Sequence, residues 1–222
     1  MDVLYFLEGL RTPWLDGIVG ALTHLGGELV FLVAALIVFW CVDKKKGYYL
    51  MAVGFAGTLL NQVLKLWFRI PRPWVLDPEF TIVESARAEA TGYSFPSGHT
   101  QNSVGVFGSI ARMNKNKMLR ALCIAACILV PLSRMYLGVH TPADVMVSFV
   151  IATALVLVLY PLVNKIIEHP ARMRLFFLGM SVLSGLFLIY VLFFPFSADI
   201  DPHNLESGLE NGYKIFVCIV GL

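Results

Sequence analysis

Long apolar runs separated by short polar connections make up most of this chain. Five of these runs are strongly apolar, at residues 18–42, 47–68, 119–135, 143–163 and 175–196. Each is close to, or longer than, the roughly 20 residues that an α-helix needs to cross the hydrocarbon core of a bilayer. The pattern therefore predicts an all-α fold, a polytopic bundle of transmembrane helices.

A sixth span is weaker in hydropathy than the others. Residues 96–111 open with Pro96-Ser97-Gly98-His99, continue with polar side chains and contain Gly105 and Gly108. A helix that is buried inside a bundle and lines a site has this kind of composition, because small residues let neighbouring helices approach closely. We therefore expect about six transmembrane helices.

The two ends of the chain differ from this core, which we place at about residues 18–196 of a single domain covering residues 1–222. Residues 1–13 mix Leu, Tyr and Phe with Asp, Glu and Arg, which indicates an amphipathic helix at the membrane interface. Residues 197–222 begin as an acidic tail and turn apolar at Ile215–Leu222. That last run is too short to span, so we expect a further helix to begin there, in a chain that is shortened at this end.

Composition supports a membrane protein. The chain is 58% hydrophobic and 14% charged, with a mean hydropathy of +0.74, which excludes an ordinary soluble domain. Its formal net charge is only +2, and we expect no nucleic-acid partner and no cofactor. The four cysteines fall in apolar runs without a C-x-x-C pair, so we expect small buried side chains.

Basic residues are concentrated in three short connections, at Lys44–Lys46, Arg112–Arg120 and Lys165–Arg174. The order of the spans puts all three connections on one side of the membrane, and the positive-inside rule makes that side cytoplasmic. The 69–97 loop and the 133–144 turn then face the extracytoplasmic side. The loop is longer than most connections, which is typical of a lid or a binding loop.

The turn between the fourth and fifth spans carries Arg134, His140 and Asp144. Ionisable groups are costly near lipid, so their presence at the end of two spans indicates a functional site. Pro142 is suited to the first turn of the following helix, and this start would bring the carboxylate of Asp144 near the imidazole of His140. A carboxylate in that position fixes the tautomer of a histidine.

Other polar residues reach the same outer face of the predicted bundle. Lys65 and Arg72 add two cations to Arg134, and arginine in particular is a bidentate partner for phosphate. Ser97-Gly98 lies at a helix start, where backbone N–H groups and the helix dipole favour an anion. These residues predict a site for a phosphate or diphosphate group.

Two histidines at this face allow a division of labour. His140, with Asp144 in reach, is the better nucleophile, and His99 is then the general acid that protonates the leaving oxygen. Cations and a helix N-terminus can neutralise a phosphoryl group, so the predicted mechanism needs no metal. The carboxylates of the 74–95 loop have no histidine partners at metal-ligand spacing.

Three sequence motifs carry a family resemblance. They are Lys65-x6-Arg72-Pro73, Pro96-Ser97-Gly98-His99 and Ser133-Arg134-x5-His140-x3-Asp144. All three are complete and in this order, and they resemble the signature of the type 2 phosphatidic acid phosphatase (PAP2) superfamily. The motifs cover residues from about 60 to 145, and the arrangement of six helices extends the resemblance to about residue 196. The soluble vanadium haloperoxidases of the same superfamily do not fit the apolar composition.

The resemblance implies hydrolysis of lipid phosphates at the outer membrane face, without metal and with sensitivity to vanadate. It also implies catalytic roles for His140, Asp144 and His99. The residues that it implies for phosphate binding are Lys65, Arg72, Ser97, Gly98 and Arg134.

The substrate stays open at this point. Short loops and the lack of a soluble domain suit a bacterial enzyme that recycles a lipid carrier, which makes undecaprenyl diphosphate the leading choice by analogy within the family. Phosphatidate, phosphatidylglycerol phosphate and transfer of the phosphate to a lipid acceptor are the alternatives. The expected partners are therefore a lipid phosphate and the surrounding membrane lipids.

Two functions without catalysis compete with the phosphatase. A transporter of phosphorylated lipids is one, but transporters tend to place ionisable groups near the midplane of repeated or broken helices, and no repeat is visible here. A scaffold that has lost catalysis is the other, and the intact motifs argue against it.

Several polar residues are expected to lie outside the site. His24, His169 and His203 have no motif around them, which predicts interfacial or loop positions. Glu84, Arg87 and Glu89 are expected to form a solvated, loosely ion-paired loop. Tyr93 and Phe95 are expected to serve in packing, and the alternative is that they form part of the wall for a lipid chain.

Overall fold

The structure is a computed structural model that describes residues 1–194 and 202–221. Within those residues it is built from α-helices and short turns, with no β-strand. The helices in chain order are α1 (Asp2–Glu8), α2 (Pro13–Thr23), α3 (Glu28–Ile37), α4 (Lys44–Phe68), α5 (Pro73–Leu76), α6 (Gly98–Met113), α7 (Lys117–Tyr136), α8 (Pro142–Ile166), α9 (Pro170–Phe193) and α10 (Pro202–Val220). The predicted all-α fold is confirmed.

Short turns connect some of these helices. A 3₁₀ turn at His24–Gly26 joins α2 to α3, a π-helical turn at Val38–Val42 ends α3, and a second 3₁₀ turn occupies Glu84–Ala86. Phe196, where the sequence places the end of the last span, lies outside the described residues, as do Asp199 and Asp201 of the expected acidic tail.

Four of the described helices, α4, α7, α8 and α9, are long and apolar enough to cross a membrane. The segments Pro13–Gly26 and Glu28–Val42 qualify only as a pair, bent by 50°, which would make a fifth span. The remaining predicted span is α6, which has 16 residues and does not meet this criterion. Its polar side chains are tolerated because neighbouring helices surround it.

Helix α6 lies at the centre of the bundle, against α4, α7 and α8. Ser103 and Ser109 on α6 are fully buried, and Ser103 satisfies its hydroxyl by donating to the carbonyl of Thr100 at 3.2 Å. The close packing extends to Gly57 of α4, where a Cβ atom would lie 2.5 Å from Nε2 of Gln101. The expectation of a small-residue helix buried in the bundle matches this arrangement.

Local sequence signals set the starts of the helices that carry the site. Thr141 caps α8 in a reciprocal capping box with Asp144, and Pro142 occupies the first turn, where its missing N–H is not needed. Ser97 caps α6 by accepting from the N–H of Thr100. Helix α4 ends at Phe68, and the left-handed backbone of the next residue, Arg69 (φ 50°), turns the chain towards Arg72.

The N-terminal segment forms two helices, whereas the sequence predicted one over residues 1–13. Helix α1 ends at Glu8, and Thr12 and Pro13 start α2 with a side-chain cap and a proline in the first turn. Arg11, in the connection between them, donates to the carbonyls of Tyr136 at 3.0 Å and Thr81 at 2.8 Å. This segment therefore packs onto the 74–95 loop at the end of the bundle where α8 begins.

Helix α10 begins at Pro202, well before Ile215, where the sequence suggested the start of a further helix. It packs against α9 and α4. Gly208 faces Leu66 of α4, and Gly212 faces Leu188 of α9. The first half of α10 carries many polar side chains, so its mean hydropathy is low and the apolar pattern does not predict a helix there.

Candidate active site

A cavity of about 490 Å³ opens at the end of the bundle where α6 and α8 begin. Five of the eight predicted site residues line it: Lys65, Arg72, Gly98, His99 and His140. The other three lie directly behind this lining, because Ser97 caps the helix that starts at Gly98, Asp144 contacts His140, and Arg134 lies 3.9 Å from Glu89 in the cavity wall. The topology therefore brings together residues that are widely separated along the chain.

His140 is held by Asp144 from the adjacent first turn of α8. The His140 Nδ1 atom lies 3.4 Å from Oδ2 of Asp144. The same carboxylate oxygen accepts from the backbone N–H of Thr141 at 2.8 Å and from the hydroxyl of Ser94 at 2.5 Å. His140 and Asp144 are each about 98% buried or more, so the Asp144 carboxylate needs these donors to satisfy its hydrogen-bonding capacity. Ser94 is thus a partner of Asp144 that the sequence did not indicate.

The contacts of His140 define its tautomer. Its Nε2 atom lies 3.0 Å from Nη1 of Arg72, and a guanidinium can only donate. Nε2 therefore accepts, and the ring proton belongs on Nδ1, towards Asp144. Burial lowers the pKa of His140 well below its ordinary value, and the charges of Arg72 and Arg134 lower this pKa further. The imidazole is thus neutral, and its unprotonated nitrogen Nε2, which accepts from Arg72, lies at the cavity.

Arg72 is fixed by backbone carbonyls from two loops. Its Nε donates to Gly92 at 3.1 Å, its Nη2 to Thr91 at 2.7 Å and its Nη1 to Val139 at 2.9 Å. Lys65 is held in a similar way, since its ammonium group donates to the carbonyl of Tyr93. The 91–93 segment therefore holds two cations at the cavity wall.

Arg134 combines complete burial with unused hydrogen-bond donors. It is fully buried, and its Nη1 donates to Oγ1 of Thr23 at 2.9 Å. Its Nε and Nη2 atoms have no hydrogen-bond partner among the described residues. A buried guanidinium with two unpartnered nitrogen atoms is costly unless an anion is bound, so Arg134 is suited to bind one.

The start of α6 supplies backbone donors. The side chain of Ser97 accepts from the N–H and the hydroxyl of Thr100, so it caps the helix and does not project into the cavity. The Ser97 N–H donates to the carbonyl of Asp144 at 3.1 Å, which ties the starts of α6 and α8 together. Gly98 lines the cavity at the positive end of the helix dipole.

His99 has a carboxylate partner that the sequence analysis missed. Its Nε2 lies 3.2 Å from Oε2 of Glu89, and the other oxygen of Glu89 lies 2.7 Å from Nδ1 of His24. The hydrogen bond with His99 lowers the pKa of Glu89 to about 2, so this carboxylate is ionised at neutral pH. The 3₁₀ turn of His24 packs closely on α6, since a Cβ at Gly26 would lie 2.7 Å from the carbonyl oxygen of His99.

Two expectations are corrected by this contact. Glu89 is not part of a solvated loop pair, although Glu84 and Arg87 are exposed and paired at 2.8 Å as expected. His24 does not lie outside the site as expected, because it lines the cavity. Neither residue shares a helix or strand with His99, so the periodicity of the sequence could not show that they meet.

Tyr93 is buried among Leu59, Leu66 and Phe187, as expected of a packing residue.

The described residues contain no group of three or more His, Cys, Asp or Glu side chains arranged to hold a metal ion. The arrangement at the cavity is instead cationic, with one neutral histidine that faces it and a second histidine paired with a carboxylate. Such a set can bind a phosphoryl group, attack its phosphorus atom and protonate the departing oxygen.

Comparison with known families shows the superfamily of this chain. The family model described as "PAP2 superfamily" matches residues 45–168, more than half of the chain. The chain belongs to the PAP2 superfamily. The matched region contains all eight residues predicted from the motifs.

Two curated PAP2 relatives come from Bacillus subtilis. One, named phosphatidylglycerophosphatase B, is 32% identical over 74% of this chain and 81% of its own length. The other, named undecaprenyl-diphosphatase BcrC, is 30% identical over 62% of this chain and 69% of its own length.

A solved PAP2 structure has the same fold. The crystal structure of the first transmembrane PAP2 type phosphatidylglycerolphosphate phosphatase from Bacillus subtilis matches with a TM-score of 0.62 and 27% identity. The match covers 74% of this chain and 84% of the other. The family match, the phosphatase relatives and the transmembrane structural neighbour together show that the chain is a membrane enzyme, a phosphatase that hydrolyses lipid phosphate esters.

Proposed function

We propose that this PAP2 enzyme removes the terminal phosphate of a lipid through a phosphohistidine on His140, without a metal ion. The observation that carries the proposal is the contact between Arg72 Nη1 and His140 Nε2, which makes Nε2 the unprotonated nitrogen of a neutral imidazole at the cavity. The oxygens of a bound phosphate are proposed to take over the Arg72 donor, which frees the electron pair of Nε2 for attack. Asp144 holds the opposite ring nitrogen, which fixes the direction of attack.

The reaction has two steps. Nε2 of His140 attacks phosphorus, the bond from phosphorus to the leaving oxygen breaks, and that oxygen takes a proton from His99. Water then attacks the phosphohistidine, gives a proton back to His99, and releases inorganic phosphate and free His140. Lys65, Arg72, Arg134 and the positive end of α6 at Gly98 are proposed to neutralise the phosphoryl oxygens. Ser97 is proposed to contribute by capping that helix end.

Glu89 is proposed to support His99 as an acid. An acid must carry its proton when the substrate arrives, but burial and the nearby arginines disfavour the charged form of His99. The carboxylate of Glu89 at 3.2 Å opposes these effects, and the negative charge of a bound phosphate is proposed to add to its contribution. The carboxylate also fixes the direction of the imidazole ring. Glu89 is therefore proposed as a positioning residue, since it acts through His99.

The proposed substrate is undecaprenyl diphosphate. A diphosphate carries more negative charge than a phosphate monoester, and three buried cations with a helix N-terminus suit the larger charge. A relative named undecaprenyl-diphosphatase supports this choice. Phosphatidylglycerophosphate is the second candidate, because another relative is named phosphatidylglycerophosphatase B.

We also propose that the cavity faces the extracytoplasmic side. The support is the distribution of charge, because the connections at Lys44–Lys46, Arg112–Arg120 and Lys165–Arg174 are basic and lie at the bundle end opposite the cavity. The active site would then meet lipids of the outer leaflet.

The test of this function is phosphate release by purified protein in detergent with excess EDTA. We expect release from undecaprenyl diphosphate to be faster than release from phosphatidylglycerophosphate, and vanadate to inhibit both. Activity that appears only after Mg²⁺ is added would contradict the metal-free mechanism. A faster reaction with phosphatidylglycerophosphate would replace the proposed substrate by the second candidate, and transfer of phosphate to an added lipid alcohol would make the protein a phosphotransferase.

Replacing Glu89 by glutamine is expected to lower kcat about tenfold, because a smaller fraction of His99 would then be protonated and able to act as the acid. The loss should be smaller at acidic pH, where His99 is protonated without help, so the alkaline fall of kcat should move to lower pH. Profiles of kcat and KM against pH measure this. Glu84→Gln is the matched control, because Glu84 is exposed and pairs with Arg87 on the surface. Equal profiles for the two variants would remove Glu89 from the mechanism.

A further inference from the structure

A groove of about 630 Å³ lies on the side of the bundle, between the start of α3 and the second half of α10. Its walls are mostly apolar, with Leu29 and Leu32 on one side and Tyr213 and Val217 on the other. Leu29 and Val217 are 72% and 65% exposed, so no other described part of the chain covers them.

This groove is continuous with the candidate active site. Glu28 and Leu29 line both the groove and the catalytic cavity. Asn211, half a turn of α10 before Tyr213, also lines the catalytic cavity. The two spaces therefore meet at the start of α3, on the side of the catalytic cavity that faces α10.

The direction of α10 carries the groove away from the polar end of the bundle. Gly208 packs on Leu66, near the cavity end of α4, and Phe216 packs on Gly185 of α9. Ile219 belongs to a cluster with Phe177, in the half of α9 far from the cavity. The helix thus follows α9 in the antiparallel direction, from the cavity into the apolar part of the bundle.

We propose that the groove between α3 and α10 binds the hydrocarbon chain of the lipid phosphate while its phosphate lies at His140. This inference rests on the proposed function, since it names the part of that substrate that the catalytic cavity cannot hold. A lipid has its phosphate and its chain in one molecule, and the chain must stay in apolar surroundings when the phosphate enters a polar cavity. The continuity of the two spaces commits the groove to this occupant.

The proposal gives α10 a part in substrate selection. The family model matches residues 45–168, so both walls of the groove lie outside it. The residues that bind phosphate and perform chemistry lie inside it. Selection by chain length would therefore reside in a part of the molecule separate from catalysis.

The test compares two diphosphates with the same head group, undecaprenyl diphosphate and dimethylallyl diphosphate, whose chain is a single isoprene unit. Val217→Trp, in the full chain purified in detergent, should fill the groove. We expect kcat/KM for undecaprenyl diphosphate to fall at least about tenfold, because several methylene groups lose an apolar contact, mainly through KM. The value for the short diphosphate should change less than about twofold, since a short chain does not reach the obstruction.

Two further variants keep the outcome clear. Val182→Trp is the matched control, since Val182 is 54% exposed on α9, away from the groove, and both rates should stay near those of the wild type. Leu32→Trp fills the groove from the opposite wall and should reproduce the loss, so the test does not depend on whether α10 accepts a large side chain.

The outcomes separate the groove from the proposed function. Equal losses for the long and the short diphosphate in both Val217→Trp and Leu32→Trp, or no loss in either, would overturn the groove. If the wild type hydrolyses neither diphosphate, the proposed substrate is wrong, and the same comparison with long-chain and short-chain phosphatidylglycerophosphate tests the groove by itself.

Discussion

His140→Ala is expected to lower kcat about 10⁴-fold or more with any lipid phosphate, because loss of a nucleophile leaves only the contribution of binding and charge neutralisation. Arg72 and Arg134 remain in place, so binding of the lipid should persist. Phosphate release measures the first effect, and retention of labelled lipid on the detergent-purified protein measures the second.

The control for this variant is His169→Ala, which removes an exposed histidine at the start of α9, at the opposite end of the bundle. It should keep the activity of the wild type. Wild-type turnover in His140→Ala would show that another group attacks phosphorus. Loss of turnover together with loss of lipid binding would show that His140 serves to hold the substrate.

His99→Asn is expected to affect the two candidate substrates differently. With phosphatidylglycerophosphate the leaving group is an alkoxide, which needs a proton from an acid. The kcat for its hydrolysis should therefore fall about 10²–10⁴-fold. With undecaprenyl diphosphate the leaving group is undecaprenyl phosphate, which departs more easily than an alkoxide. The first step should therefore be less affected. The second step still lacks the group that accepts a proton from water, and phosphohistidine should accumulate on His140.

Rapid acid-free quenching of the reaction with labelled undecaprenyl diphosphate measures the phosphoprotein directly. The label should be stable to alkali and labile to acid, as expected of a phosphorylated histidine. It should be absent in the double variant His99→Asn/His140→Ala. Equal losses for both substrates, without accumulation of label, would assign His99 to binding and remove it from proton transfer.

The sequence was informative where the structure depends on local chemistry. Thr141, Pro142 and Asp144 form a capping box and a favourable first turn within a few residues of one another, so the position of Asp144 near His140 follows from helix geometry. The ends of the long spans follow from apolar runs in the same way. For α4, α7 and α8, the starts and ends in the structure lie within a few residues of those predicted.

The gathering of Lys65, Arg72, Arg134 and His99 was also predictable, because each lies near the end of a span and the count of spans places these ends on one side. In a bundle of antiparallel helices, the order of the spans is enough to say which ends meet. It does not say which donor contacts which acceptor. The Arg72 to His140 contact, which defines the tautomer, required the structure.

Residues from loops were missed for a physical reason. Glu89 and Ser94 belong to a segment without helix or strand, so no periodicity orients their side chains. Their partners are His99 in the first case and Asp144 in the second, which is 50 positions away. Such contacts depend on how the loop packs between α6, α8 and the N-terminal segment.

The sequence alone therefore determined the all-α membrane fold, the ends of most spans and the motif residues of the site, because hydropathy and helix capping act over short distances along the chain. Only the tertiary structure decided the partner of His99, the donors to Asp144 and the position of α10 beside α3. These are set by packing between segments that are distant in sequence, where the contact of each side chain depends on the whole bundle.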